Sequence, residues 1–190
     1  MAKGHPFHRY VGMKLMKLRT PPGSAPILDS ACAGPEQHNN THNLPLFATI
    51  RDDGTGYYKA VEFTDVDAFF PMNNKVRVIV EIEESGIRAN KLCSKFMSAA
   101  LSDYYRRGEE TIHLDDVVLF VQVLKSKNKI RNDGSSATWS YLGGKFNGLK
   151  LAEGRTMRYA IYWGDENGLV GTTSLSLEDR IMHFLKKEDL

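Results

Sequence analysis

Between Val76 and Glu83 valine or isoleucine occupies every second position (Val76, Val78, Val80, Ile82), interleaved with Arg77, Ile79, Glu81 and Glu83. A period of two places those four side chains on one face, which predicts a strand with a buried side that ends near Glu84-Ser85-Gly86. Next, Leu92, Phe96, Met97, Ala100, Leu101 and Tyr104 recur at three- and four-residue spacing. That spacing predicts an amphipathic helix of about four turns from Asn90 to Gly108, with Lys91, Lys95, Ser98, Ser102 and Arg106 on its polar side. Asp115-Asp116 then leads into Val117 to Leu124, an apolar run too β-branched to prefer helix and suited to a central strand. A strand, a helix and a second strand in succession confine the chain to folds in which a helix covers one side of a sheet.

The flanking segments extend this plan. Leu46 to Ile50 and Tyr57 to Phe63 predict a hairpin around Asp52-Asp53-Gly54-Thr55-Gly56. Thr138 to Leu142 predicts a short strand before Gly143-Gly144, and Met157, Tyr159, Ile161 and Trp163 alternate along another. Ser176 with Asp179 three residues on announces a final helix from Leu177 to Lys187, with Leu177, Ile181, Phe184 and Leu185 on one side. Residues 20 to 45 hold Pro21, Pro22, Pro26, Pro35 and Pro45 and read as a tether. The expected fold class is α+β: a single compact domain, residues 44–190, with a mainly antiparallel sheet and two packed helices. A flexible basic, proline-rich arm, residues 1–43, precedes it.

At 190 residues, 42% of them hydrophobic, the chain can bury a core of that size. No run of about 18 apolar residues occurs and the N-terminus lacks an apolar signal core, so a soluble, cytosolic protein is expected. The net charge of +2 conceals segregation. Lys3, Arg9, Lys14, Lys17 and Arg19 precede the first acidic residue, Asp29, and are interleaved with Phe7, Tyr10, Val11, Met13, Leu15, Met16 and Leu18. An arm both cationic and apolar suits anionic lipid headgroups or a partner's groove. A second basic zone, Lys125, Lys127, Lys129 and Arg131, followed by Lys145, Lys150, Arg155 and Arg158, suits phosphates.

Signatures of chemistry are sparse. The chain contains no phosphate-binding loop, dinucleotide fingerprint, nucleophile elbow or metalloprotease helix. Cys32, His38 and His42 lie in the tether without a companion cysteine, and His5 and His8 read as solvated imidazoles, so no metal site and no cofactor are expected. Asp115, Asp116 and His113 make a minor catalytic alternative, but adjacent residues on a strand point apart. Trp139, Tyr141, Tyr159, Tyr162 and Trp163 could stack bases, although on alternating strands such residues are more often core.

The order of basic amphiphilic arm, proline-rich tether, strand Val76 to Glu83, helix Asn90 to Arg107 and strand Val117 to Lys125 resembles the matrix proteins of rhabdoviruses. The length suits the short, plant-infecting, cytorhabdovirus-like members. The resemblance implies a non-enzymatic structural protein of an RNA virus. Such a protein self-associates into homo-oligomers, condenses the viral nucleocapsid and bridges it to anionic lipids on the inner face of the host membrane. It would be found in the virion and the host cytoplasm, with the viral glycoprotein as a further candidate partner. By position, Lys3, Arg9, Lys14, Lys17 and Arg19 would match the family's membrane- and nucleocapsid-contacting arm. Lys125, Lys127, Lys129 and Arg131 would face nucleocapsid or phosphate. The alternative reading is a viral movement or single-stranded nucleic-acid-binding protein, in which Lys125 to Arg131 and Trp139 track the backbone.

Overall fold

A computed structural model of the chain describes residues 5–33, 43–51, 56–85, 88–126, 135–151 and 153–186. In chain order the elements are α1 (Pro6–Met16), β1 (Ile27–Leu28), α2 (Ser30–Ala33), β2 (Leu44–Arg51), β3 (Tyr58–Val66), β4 (Ala68–Met72) and β5 (Lys75–Glu83). They continue with α3 (Ala89–Ala100), β6 (Tyr104–Arg107), β7 (Glu110–Lys125), α4 (Ser135–Phe146), β8 (Leu149–Lys150), β9 (Thr156–Asp165), β10 (Gly168–Gly171) and α5 (Leu177–Lys186).

One mixed sheet organises the molecule, in the order β1-β4-β5-β7-β6-β2-β3. It forks at β7, whose first residues pair with β6 and whose later ones pair with β9 along the same edge. The two central pairings, β5 with β7 and β7 with β9, are parallel, while the others among the described residues are antiparallel. The chain between parallel neighbours must cross from one end of the sheet to the other, and α3 and α4 lie in those crossovers.

Helices cover both faces, which is why β5 is buried over nearly its whole length. A register shift between Val76 and Val78 puts Val76 with Ile79 on one side and Val78, Val80 and Ile82 on the other. The first side joins Leu92 and Phe96 of α3 with Phe120 and Tyr159. The second joins Phe7, Val11 and Leu15 of α1 with Leu177, Ile181 and Leu185 of α5.

Three expectations are corrected. The structure has helices beyond the expected two, because the first forty residues supply α1 and α2 and because Thr138 to Leu142 lies in α4 rather than in a strand. Phe146 at the end of α4 stacks 4.4 Å from Phe96, a tertiary contact that outweighs the poor helix propensity of Gly143 and Gly144. The helix expected to run to Gly108 stops at Ala100, and Tyr104–Arg107 is β6. Nor is the whole N-terminal segment a flexible arm: Phe7, Val11 and Leu15 are fully buried, and β1 pairs with β4. The expected Ser176 cap is present, its hydroxyl accepting the Asp179 amide at 3.0 Å and donating to the Asp179 carboxylate at 2.7 Å.

Candidate interfacial site on the N-terminal helix

The helix α1 forms where Phe7, Val11 and Leu15 fall at i, i+4 and i+8, with Pro6 in the first turn, where its missing N–H costs nothing. Its N-terminal amides are satisfied from outside the helix. The Glu84 carboxylate, just past β5, accepts the amides of Phe7 at 2.7 Å and His8 at 2.9 Å. A carboxylate there also complements the positive end of the helix dipole. Contacts from the imidazole and amide of His8 and the amide of Phe7 outweigh the effect of burial and hold the Glu84 carboxyl below its ordinary value.

His8 is buried between two carboxylates, with Nδ1 3.1 Å from Glu84 and Nε2 3.6 Å from Asp67. Asp67 also accepts the Ile82 amide at 2.6 Å, and burial raises its pKa despite the nearby imidazole. Asp29 is raised as well, first by burial and then by the charge of Asp67. At the other end of α1, Lys14 lies 2.5 Å from Glu178 of α5, and that hydrogen bond lifts the amine above its ordinary value. Midway, Gly12 meets α2 so closely that a Cβ there would sit 2.3 Å from the Cys32 carbonyl oxygen.

What α1 leaves outside is a stripe: Arg9, Met13, Met16 and Lys17, at i, i+4, i+7 and i+8, are all exposed, the methionines at 55% and 46%. Arg19 is exposed just beyond. The five expected arm cations therefore divide. Arg9, Lys17 and Arg19 face outward, Lys14 is engaged by Glu178, and Lys3 lies outside the described residues. In the second basic zone, Lys125 sits 3.2 Å from Glu166 and 5.6 Å over the Phe7 ring. Lys127, Lys129 and Arg131 lie outside the described residues.

The other sequence candidates have structural partners. Asp115 accepts from Arg77 at 2.8 Å and lies 3.4 Å from Lys75, Asp116 is exposed, and His113 packs by Tyr104. Tyr159 is buried and donates to Gln122, whose amide donates to the Leu92 carbonyl at 3.2 Å. Tyr162 is buried too, its hydroxyl donating to the Leu175 carbonyl at 3.2 Å, while Tyr141 is exposed on α4 beside Lys145. A cleft of about 480 Å³ lined by Ser30, Asn43, Pro45, Glu62, Asp65, Arg106 and Arg107 sets two guanidinium groups against two carboxylates.

Sequence names the cations of the outward stripe but does not separate Met13 and Met16 from the buried residues, because the interleaved apolar residues belong to both faces of one helix. The signal that separates them is the i, i+4, i+8 set Phe7, Val11 and Leu15. Among the described residues no helix is long and apolar enough to cross a membrane. No protein-family model matches the chain, and neither a curated protein nor a solved structure matches it significantly.

Proposed function

We propose that this chain is a non-enzymatic viral matrix protein that binds anionic membrane through the outer stripe of α1, binds nucleocapsid through its second basic zone, and self-associates. The observation that carries the reading is the stripe itself: Arg9, Met13, Met16 and Lys17 project from a helix whose opposite side is fixed in the core. Because α1 is already folded, binding would not bear the cost of ordering it. A cation near an anionic leaflet contributes about 1 kcal/mol, so Arg9, Lys17 and Arg19 give about 3 kcal/mol, short of the ~4 kcal/mol of millimolar binding. Two methionines entering the headgroup region add apolar burial, and an array of subunits multiplies the whole through avidity. Salt would weaken each contact and so release the array.

The segment holding Lys127, Lys129 and Arg131 supplies the phosphate contacts in this reading. The test is flotation of the full chain with anionic and neutral liposomes across a salt series, beside the variant Arg9→Glu/Lys17→Glu/Arg19→Glu. Lys14 is left intact because its bridge to Glu178 holds the helix in place. The reading expects the natural chain to float only with anionic lipid at low salt and the variant to remain at the bottom. Equal flotation of both removes α1 from the membrane contact. Failure of both to float, with salt-sensitive RNA binding retained, favours the single-stranded nucleic-acid-binding alternative.

A further inference from the structure

Where α1 begins, His5, His8 and Glu84 place one ligand atom each within 4.8 Å of one another. The two imidazoles lie one helical turn apart, with ring centroids 5.2 Å apart and ring planes at 70°. His8 has a carboxylate at each nitrogen, Glu84 at Nδ1 and Asp67 at Nε2. With Nδ1 turned to a cation as a ligand, Nε2 carries the N–H and faces the Asp67 carboxylate 3.6 Å away. A carboxylate behind a ligating histidine is the arrangement that fixes the tautomer and strengthens the ligand in metal sites.

We infer that His5, His8 and Glu84 form a binding site for a borderline divalent ion of the zinc class, with Asp67 supporting His8 from behind. Two nitrogens and one carboxylate select zinc, cobalt or nickel over magnesium and calcium, which prefer all-oxygen shells. Three protein ligands leave a fourth position for water or for a donor from another molecule. A cation at a helix N-terminus opposes the dipole, and here the Glu84 carboxylate on the Phe7 and His8 amides offsets it. The bound ion would tie the first turn of α1 to the end of β5, joining the outer stripe to the sheet. His5 is exposed and makes no capping hydrogen bond, so it is the ligand that can be removed with least disturbance to the fold.

The test is calorimetric titration of metal-stripped full-length protein with zinc chloride, repeated with magnesium chloride, for the natural chain and for His5→Ala, Asp67→Asn and His38→Ala/His42→Ala. The site requires one equivalent of zinc bound, no magnesium heat, and affinity preserved in the His38/His42 variant. Asp67→Asn should weaken zinc about 10-fold to 100-fold, and His5→Ala by more. Cobalt loading gives a second readout, a visible absorption band that His5→Ala abolishes while circular dichroism shows the fold intact. Absence of zinc binding at submillimolar concentration, or zinc affinity unchanged by His5→Ala, overturns the inference.

Discussion

Lys95 Nζ lies 3.3 Å from Glu81 Oε1, and one helical turn earlier Lys91 meets Glu83 two residues along the same strand. The match is geometric: four residues of helix advance about 6 Å and two of strand about 6.6 Å, so α3 and β5 can hold two ion pairs in step. Glu81 is 1% exposed, and burial pushes its carboxyl well above its ordinary value. For Lys95 burial acts against the charge, but attraction to Glu81 and their hydrogen bond outweigh it and leave the amine raised.

Lys95→Met therefore strands a buried carboxyl, and the expected loss is about 3–5 kcal/mol near neutral pH. A folded-state pKa above the unfolded one means the folded chain holds the proton more tightly. The carboxyl thus costs stability increasingly as pH rises through its raised value, and none once both states are protonated. Urea melts at descending pH should show the deficit of the variant shrinking toward acid. A deficit independent of pH would exonerate Glu81.

Gln122 bridges Tyr159 and the Leu92 carbonyl, tying β9, β7 and α3 together inside the core. Gln122→Leu keeps the volume but leaves the buried Tyr159 hydroxyl without this partner, at about 1–3 kcal/mol, while the Leu92 carbonyl keeps its place in the α3 helix. Adding Tyr159→Phe to that variant should recover part of the loss, and chemical denaturation of the two variants measures it.

Gly12→Ala forces the Cys32 carbonyl away from α1, because the added Cβ would lie 2.3 Å from that oxygen. Overpacking of this kind costs about 1–3 kcal/mol, here concentrated on one helix. Hydrogen exchange should show faster exchange across α1 with α3 unaffected. Uniform protection in the variant would mean that α1 and α2 part without cost.

Ser176→Ala removes the oxygen that accepts the Asp179 amide, and about 1 kcal/mol should go with it. Ser176→Asp, which keeps an acceptor, should restore most of that. Thermal melts of the three proteins decide it.

Elements whose cause is local were legible: the strand of alternating valines, the apolar β7, the hairpin strands β2 and β3, and α5 with its serine cap. Elements fixed by distant groups were not. The helix α3 ends at Ala100 because the Arg155 guanidinium donates to the Ser102 carbonyl at 2.6 Å and reaches that of Ala100 at 3.4 Å, from more than fifty residues away. The hairpin of β4 and β5 did leave a trace, since Asn73 and Asn74 both adopt positive φ, 52° and 59°, as a tight two-residue turn requires. Parallel pairing left none, because it depends on where a strand lies and not on what it contains. Of the candidate site, Arg9, Lys17 and Arg19 were named from sequence. The clamp of Glu84, Asp67 and Glu178 was not, being assembled from residues as far as 164 positions from their partners.

That separation bears on how the protein is made. α1 precedes its partners in the chain, so during synthesis its apolar side gains β5 first and Leu177, Ile181 and Leu185 of α5 only later. Until then Phe7, Val11 and Leu15 lack part of their cover, and whatever binds them early competes with completion of the core. The incomplete chain is therefore the form in which a chaperone can reach Phe7, Val11 and Leu15 without opening the folded protein.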